Sequence, residues 1–457
     1  MTRARDKTER NRKEIRAGLW LVSLIVSIQV VGLVLFSMGT PGVANAKTFL
    51  VNSTLDEVDT NYQDGICAST PSGVCTLRAA IQEANWLDGP DTIKLPAGLY
   101  MLTIPGKEDF CASGDLDIIS DGFGNNDLTI IGLGAKKTII NGGKLDRVFH
   151  ILSPVSVTIA KVTIQNGLAT DGGLGEAFGG GILTTPESTL SVKECTISNN
   201  AVSHTVDANG GGIYSEGTLR IIDSTFWNNS ASSGRWSWGG GIHSRQAVLT
   251  ITGSSFSNNS ASGSDTGLGG GISSFQNVST MIKNSSLFNN SASGGQLGDR
   301  AGYGGGIHNF DGPLTITNSS LSNNSVSGVY AGAGGGIFNG TLMTPRTFTI
   351  TNSNLSNNSA SGGGVAAGGG INSDGAVTIR SSTLSQNAVS GRSDTGAGGG
   401  IYISGGTLTV QNGSKIMRNF SSDEGGGICY AGSGFGTISP DSTVTKNIPD
   451  DIYDTTP

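Results

Sequence analysis

Gly269-Gly270-Gly271-Ile272 and Phe256-Ser257-Asn258-Asn259 are two phrases that both return along the chain at intervals near 30 residues. The first ends at Ile182, Ile213, Ile242, Ile272, Ile307, Ile337, Ile371, Ile401 and Ile428, with spacings of 31, 29, 30, 35, 30, 34, 30 and 27 residues. An asparagine follows each isoleucine by 16 to 21 residues: Asn200, Asn229, Asn259, Asn290, Asn324, Asn358, Asn387, Asn419 and Asn447. Self-similarity at a period near 30 marks stacked supersecondary units rather than one closed core.

Within a repeat the apolar residues alternate, as in Leu249-x-Ile251, Leu314-x-Ile316, Phe348-x-Ile350 and Leu408-x-Val410, and nothing recurs at helical spacing. Period two with Gly, Ser and Asn between short runs predicts three short strands and three corners per repeat. Each repeat is then one coil of an all-β solenoid. Coils stack at about 4.8 Å, so equivalent residues form columns. A buried column of identical asparagines can hydrogen-bond along itself, which explains an amide where an apolar residue belongs. The glycines suit a corner with positive φ, or one passed closely by the next coil's backbone. The recurring Asn-Asn-Ser also matches the N-glycosylation acceptor, but the ladder accounts for the asparagine without a glycan.

The 72 glycines among 457 residues show no Gly-X-Y period, and the alternating Leu, Ile and Phe argue against disorder. Residues 1–46 read as a signal peptide: a Lys/Arg-rich start from Arg3 to Arg16, an apolar run from Gly18 to Met38, and Ala44-Asn45-Ala46 as cleavage site. The run is long enough to span a membrane, so an uncleaved anchor is the alternative. Cleavage would leave Lys47 as the first residue and a net charge of −11, from 21 basic and 32 acidic residues. Such a surface argues against nucleic acid or anionic lipid as partners, with membrane contact only through the N-terminal segment. The expected organisation is an N-terminal cap over 47–90, leading coils over 91–178, repeated coils over 179–447 and a tail over 448–457.

Cys67 and Cys75 flank a Pro71-Ser72-Gly73 turn in a chain that leaves the reducing cytosol, which predicts a disulfide. Thr76 then opens a helix with Leu77, Ala80, Ile81 and Ala84 on one face, ended by Trp86 and Asp88-Gly89-Pro90. A helix there can cover the open end of a solenoid, whose free strand edges would otherwise recruit other chains.

Cys75-Thr76-Leu77-Arg78-Ala79-Ala80-Ile81, continuing to Glu83-Ala84-Asn85, resembles the Cys-Ser-Leu-Arg-Glu-Ala (CSLREA) motif that opens a family of exported bacterial β-helix proteins. The resemblance runs on through Gly114-Asp115-Leu116-Asp117-Ile118, Leu128-Thr129-Ile130, Thr138-Ile139-Ile140-Asn141-Gly142 and Asp146-Arg147-Val148-Phe149 into the repeats. It departs at Thr76 and at Ala79, where a glutamate would complete a capping box. The resemblance implies a right-handed, pectin-lyase-like parallel β-helix and no single chemistry. The repeat phrases are also similar to those of polymorphic outer-membrane proteins, which resemble adhesins and carry a C-terminal membrane barrel. Asp450-Asp451-Ile452-Tyr453 is reached here without such a segment, so self-transport is not expected.

Cys195 falls in the column of Ser224, Ser254, Ser285, Ser319, Ser353 and Ser382 and reads as a small buried filler. Cys429 lies eight repeats away, about 38 Å at one coil per 4.8 Å, so the two cannot pair. Cys111 is left unassigned.

His243 and His308 each follow a repeat isoleucine, but two coils, about 9–10 Å, separate them, too far for one zinc. Their column, with Leu183, Tyr214, Ser273, Phe338, Asn372, Tyr402 and Cys429, reads as exposed and tolerant. No metal or cofactor is assigned. Polysaccharide lyases and hydrolases acting on acidic polysaccharide use this kind of solenoid and need clustered carboxylates. Asp207, Asp265, Asp299, Asp394 and Asp423 come one per loop, Asp450-Asp451 reads as a solvated tail, and Asp115 and Asp117 read as turn-capping residues. No catalytic residue is assigned. Thr250/Thr252, Thr315/Thr317 and Thr349/Thr351 read as ordinary strand formers rather than an ice-binding face.

Length variation points to a binding face. The segment from ladder asparagine to next isoleucine is 13 residues in five of eight cases but 17 before Ile307, and it carries most of the aromatic and charged variety: His204, Asp207, Arg235, Trp236, Trp238, Asp299, Arg300, Tyr303 and Tyr330. Loops from one corner project on one side, so Arg235, Trp236, Trp238, Tyr303 and Tyr330 are expected to form a lateral strip. Its partner would be carbohydrate or a cell-surface protein. The opposing reading has the two tryptophans folding back to seal their own loop. The function expected is non-catalytic binding or adhesion, at the cell surface or in the surrounding matrix.

Overall fold

The computed structural model describes residues 46–120, 127–152, 154–170, 175–295, 301–341, 346–392 and 396–454. The expected export segment therefore lies, apart from Ala46, outside the described residues. From Ala46 onward the chain is a right-handed parallel β-solenoid. One coil shows the plan: Thr218–Ile222 in sheet 1, Thr225–Trp227 in sheet 2, Ser230–Ser233 in sheet 3, Trp236–Trp238 in sheet 4 and Ile242–Arg245 in sheet 5. Among the described residues these sheets hold 13, 12, 9, 8 and 12 strands. Register keeps like on like, with Leu219 beside Leu249, Phe226 beside Phe256 and Ile213 beside Ile242.

Five strands per coil replace the three expected. The segment expected as a loop strip forms sheets 3 and 4, laid back to back as a wing. Its strands escape an apolar-pattern reading because their inner faces are reduced to residues such as Ala261, Ala292 and Gly267. A Cβ at Gly267 would collide with the carbonyls of Ser293 and Ala261, so only glycine permits the approach. Small satellite clusters, such as Ala169, Ala177, Val202, Ala208 and Ala231, fill the rest of the wing.

The main core lies inside sheets 1, 2 and 5 and runs without a break from Phe49 to Tyr430. Every repeat isoleucine is fully buried. The first glycine of each Gly-Gly-Gly-Ile phrase has positive φ, for example +69° at Gly269, and Cβ atoms on the next two would strike the backbone of the following coil. Both reasons for glycine apply at once.

The second asparagine of each pair points inward. Asn259 donates through its backbone N–H and Nδ2 to Asn290 Oδ1 at 3.1 and 2.9 Å, and through Nδ2 to Phe226 O at 3.1 Å. The pattern repeats from Asn200 to Asn419. The first residue of each pair adopts positive φ, as at Asn289 (56°), a conformation asparagine tolerates better than most residues. A serine ladder runs in parallel, each backbone N–H meeting the next Oγ near 3.1 Å, as from Ser254 to Ser285. Cys195 stands first in that column and is buried.

The ends differ from a bare stack. Cys67 and Cys75 form a disulfide with Cα atoms 5.0 Å apart. Helix α1, Leu77–Ala84, is capped by Thr76 Oγ1, which accepts from Ala79 N at 3.1 Å. The helix is buried all round, not on one face, so a glutamate at Ala79 would carry its charge into the core. Arg78 fixes it there, bonding Asp56 Oδ1 at 2.7 Å and the carbonyls of Gly114 and Asp115 at 2.9 and 3.0 Å. At the other end the expected solvated tail is a correction: Ile452–Asp454 adds a strand to sheet 5, and Asp451 Oδ1 accepts from Asn447 N and Nδ2, each at 2.9 Å. A carboxylate closes the ladder because the last amide needs an acceptor and nothing more. Cys111, Cys195 and Cys429 are unpaired and buried.

Candidate functional site

The wing and the outer face of sheet 5 diverge to leave a groove of about 370 Å³, with Trp236, Trp238, Leu268 and Tyr303 on the wing side and Phe275, His308, Phe310 and Phe338 on the sheet 5 side. An adjoining hollow of about 180 Å³ shares Trp236, Trp238 and Phe275 and adds Glu176, Asp207, Asn209, His243 and Arg245. The groove exists because sheet 4 alternates in and out. Ser237 and Gly267 face the wing interior, so Trp236, Trp238 and Leu268 turn toward sheet 5.

The aromatic rings are half-buried and ordered by their neighbours. Trp236 donates from Nε1 to Asp265 Oδ2 at 3.0 Å and from its backbone N–H to Asp207 Oδ1 at 3.1 Å, with the Arg235 guanidinium 4.7 Å from its ring. Trp238 meets Trp236 edge-on at 6.0 Å and packs at 5.4 Å against His243 and Phe275. Phe275 and Phe310 stack at 5.5 Å, as do His308 and Phe338, while Tyr303 lies 4.8 Å from Phe338.

The column of His243 and His308 is therefore not exposed. Both side chains are buried in the angle between wing and sheet, and desolvation pushes each imidazole down to about 3. They are neutral across the physiological range and act as part of the aromatic floor. His308 Nδ1 lies 3.2 Å from Ser273 Oγ. Tyr214, in the same column, donates to Glu216 Oε1 at 2.7 Å.

Of the expected strip, Trp236, Trp238 and Tyr303 come together in the groove and Arg235 flanks it on Trp236. Tyr330 stands apart, 59% exposed. The two tryptophans sit on the strand Trp236–Trp238 rather than in a loop, and they are half-covered and line a cleft. Phe275 and Phe310 are not among the expected site residues, and His243, His308 and Phe338 are expected only in an exposed column. The signal was present in the aromatic content one and three places after the repeat isoleucine, but a column assumed to face water gave no reason to read it. Of the loop carboxylates, Asp207 and Asp265 hold Trp236, and Asp299, Arg300 and Asp394 lie outside the described residues. Asp115 and Asp117 are buried in the leading coils, away from this groove.

No protein-family model matches the chain, and no curated protein matches it in sequence. Among solved structures it is similar to the A-module of mannuronan C-5 epimerase AlgE4 from Azotobacter vinelandii, at 14% identity and a TM-score of 0.37, over 81% of this chain and 94% of that one.

Proposed function

We propose that this chain is an exported, non-catalytic binding protein of the cell surface or surrounding matrix, and that it holds carbohydrate in the aromatic groove between wing and sheet 5. The observation that carries the reading is the groove itself. It has flat aromatic faces on both walls, neutral imidazoles beneath, and Glu176, Asp207 and Arg245 confined to one end. Sugar rings present apolar faces edged with hydroxyls, and such a surface meets both. The Trp236 indole is held by Asp265 at Nε1 and by the Arg235 guanidinium over its ring, while Asp207 fixes its backbone N–H, so little rotamer freedom is lost on binding. The export segment read in residues 1–46 and the net negative charge suit an extracellular role, and the stacked coils supply rigid length. A cell-surface protein is the other partner the groove would accept.

Glycan-array binding by residues 47–457 tests the proposal. Binding of one glycan class, lost in Trp236→Ala/Trp238→Ala with the fold intact, is the expected result. The competing activity, cleavage of acidic polysaccharide, would appear as steady release of unsaturated or reducing ends from pectin or alginate, with or without calcium, and would displace the binding reading.

A further inference from the structure

The sheet 5 column that floors the groove begins two coils before the first repeat, at Asp117 and His150. Leu116–Ile118 and Phe149–Ile151 are neighbouring strands of sheet 5, with Asp117 directly beside His150 in register. Two coils separate His243 from His308, whereas Asp117 and His150 sit on adjacent coils. Asp109 reaches over from the preceding segment to complete a group of three.

We propose that Asp109, Asp117 and His150 form a binding site for a zinc-class divalent cation. His150 Nδ1 lies 3.3 Å from Asp109 Oδ1 and 3.5 Å from Asp117 Oδ1. The Asp117 distance is beyond the ordinary N–H···O range of about 2.7–3.2 Å, and the Asp109 distance is that of a long hydrogen bond. They match the edge of a tetrahedron whose centre is about 2.0–2.1 Å from each ligand, the zinc–nitrogen and zinc–oxygen distance. Asp117 supplies an independent sign. Its side chain is fully buried, its Oδ2 accepts the Cys111 backbone N–H at 2.9 Å, and its Oδ1 has no hydrogen-bond donor although it points at the imidazole. A buried carboxylate oxygen oriented by a backbone bond to its twin and left without a donor is how a metal-ligating aspartate is held.

The nearby arginines do not fill this role. Arg78 is engaged by Asp56 and by backbone carbonyls, and Arg147 lies against Asp115 Oδ2 at 3.4 Å and Asp146 Oδ1 at 4.0 Å. One imidazole and two carboxylates form a mixed nitrogen and oxygen set, to which a water would add the fourth ligand, the donor set of zinc rather than of calcium, which takes six to eight oxygens. A cation here ties the segment around Asp109, whose side chain is 64% exposed, to the first coils of the solenoid. The role is structural and independent of the groove.

The test uses untagged residues 47–457, stripped with a chelator and titrated with zinc chloride, and in parallel with calcium chloride, by isothermal calorimetry. One equivalent of zinc is expected with calcium at least 100-fold weaker, and Asp109→Ala and His150→Gln should each weaken zinc at least 30-fold. Because Asp109 is exposed, its replacement leaves the fold in place, and circular dichroism verifies this. Cobalt in place of zinc should give the visible absorption of four-coordinate geometry. Absence of a stoichiometric zinc event, calcium bound in preference, or zinc affinity unchanged in both variants would each overturn the site.

Discussion

Replacing Asn290 by alanine removes one rung of a continuous amide ladder, and the structure gives the cost. Asn290 Oδ1 accepts from Asn259 N at 3.1 Å and Asn259 Nδ2 at 2.9 Å, while its Nδ2 donates to Phe256 O and Asn324 Oδ1, each at 3.0 Å. Asn259 Nδ2 keeps Phe226 O, and Asn324 Oδ1 keeps the Asn290 backbone N–H, so those groups are weakened rather than stranded. The Asn259 backbone N–H loses its side-chain acceptor in a fully buried site. At about 1–3 kcal/mol for a stranded buried group and about 1 kcal/mol for each partly compensated bond, Asn290→Ala should cost about 4 kcal/mol. Asn289 points outward with φ of 56°, and Asn289→Ala should cost only about 1 kcal/mol through the left-handed backbone. Asn289→Gly should recover that loss. Urea titration of residues 47–457, read by circular dichroism and by hydrogen exchange in the coils around residue 290, separates the cases. Equal losses at 289 and 290, or an Asn290→Ala cost below about 1 kcal/mol, would refute the ladder as a source of stability.

Gly267→Ala drives a methyl into the carbonyls of Ser293 and Ala261, and should cost at least about 3 kcal/mol and raise hydrogen exchange across the wing. Gly73→Ala, with positive φ but open space around it, should cost only about 1 kcal/mol by the same assay. His308 has its folded-state value pushed to about 3, below the ordinary 6.5, so its contribution to stability is complete above about pH 6.5 and falls as the pH drops toward 3. His308→Phe, which continues the ring stack with Phe338, should shrink the stability difference between pH 7 and pH 4 by at most about 3 kcal/mol, measured by urea midpoints at the two pH values.

The solenoid was legible because its signals are periodic. Isoleucine, asparagine and glycine each occupy one column, and a column repeated nine times is visible without coordinates. The helix at Thr76 and the Cys67–Cys75 pair were legible from local chemistry. The wing was not, because strands such as Ser260–Gly263 and Thr266–Leu268 bury alanine and glycine against backbone, and small residues carry no apolar period. Without the wing, the residue pattern puts Trp236 and Tyr303 on a surface strip and turns His243 and His308 toward water. Asp117 was hidden differently: its link to the repeat column needs the register of Leu116–Ile118 against Phe149–Ile151, which precedes the first Gly-Gly-Gly-Ile phrase.

The groove's role is tested most directly by its own tryptophans. Residues 47–457 contain Trp86, Trp227, Trp236 and Trp238, so a Trp86→Phe/Trp227→Phe variant emits only from the groove. Titration of that variant with neutral and acidic oligosaccharides should give a saturable change in emission for one class. The change should vanish on further replacement of Phe275 and Phe310 by alanine, while circular dichroism stays the same. Emission unmoved by every oligosaccharide, or moved equally after loss of the two phenylalanines, would contradict carbohydrate binding in the groove.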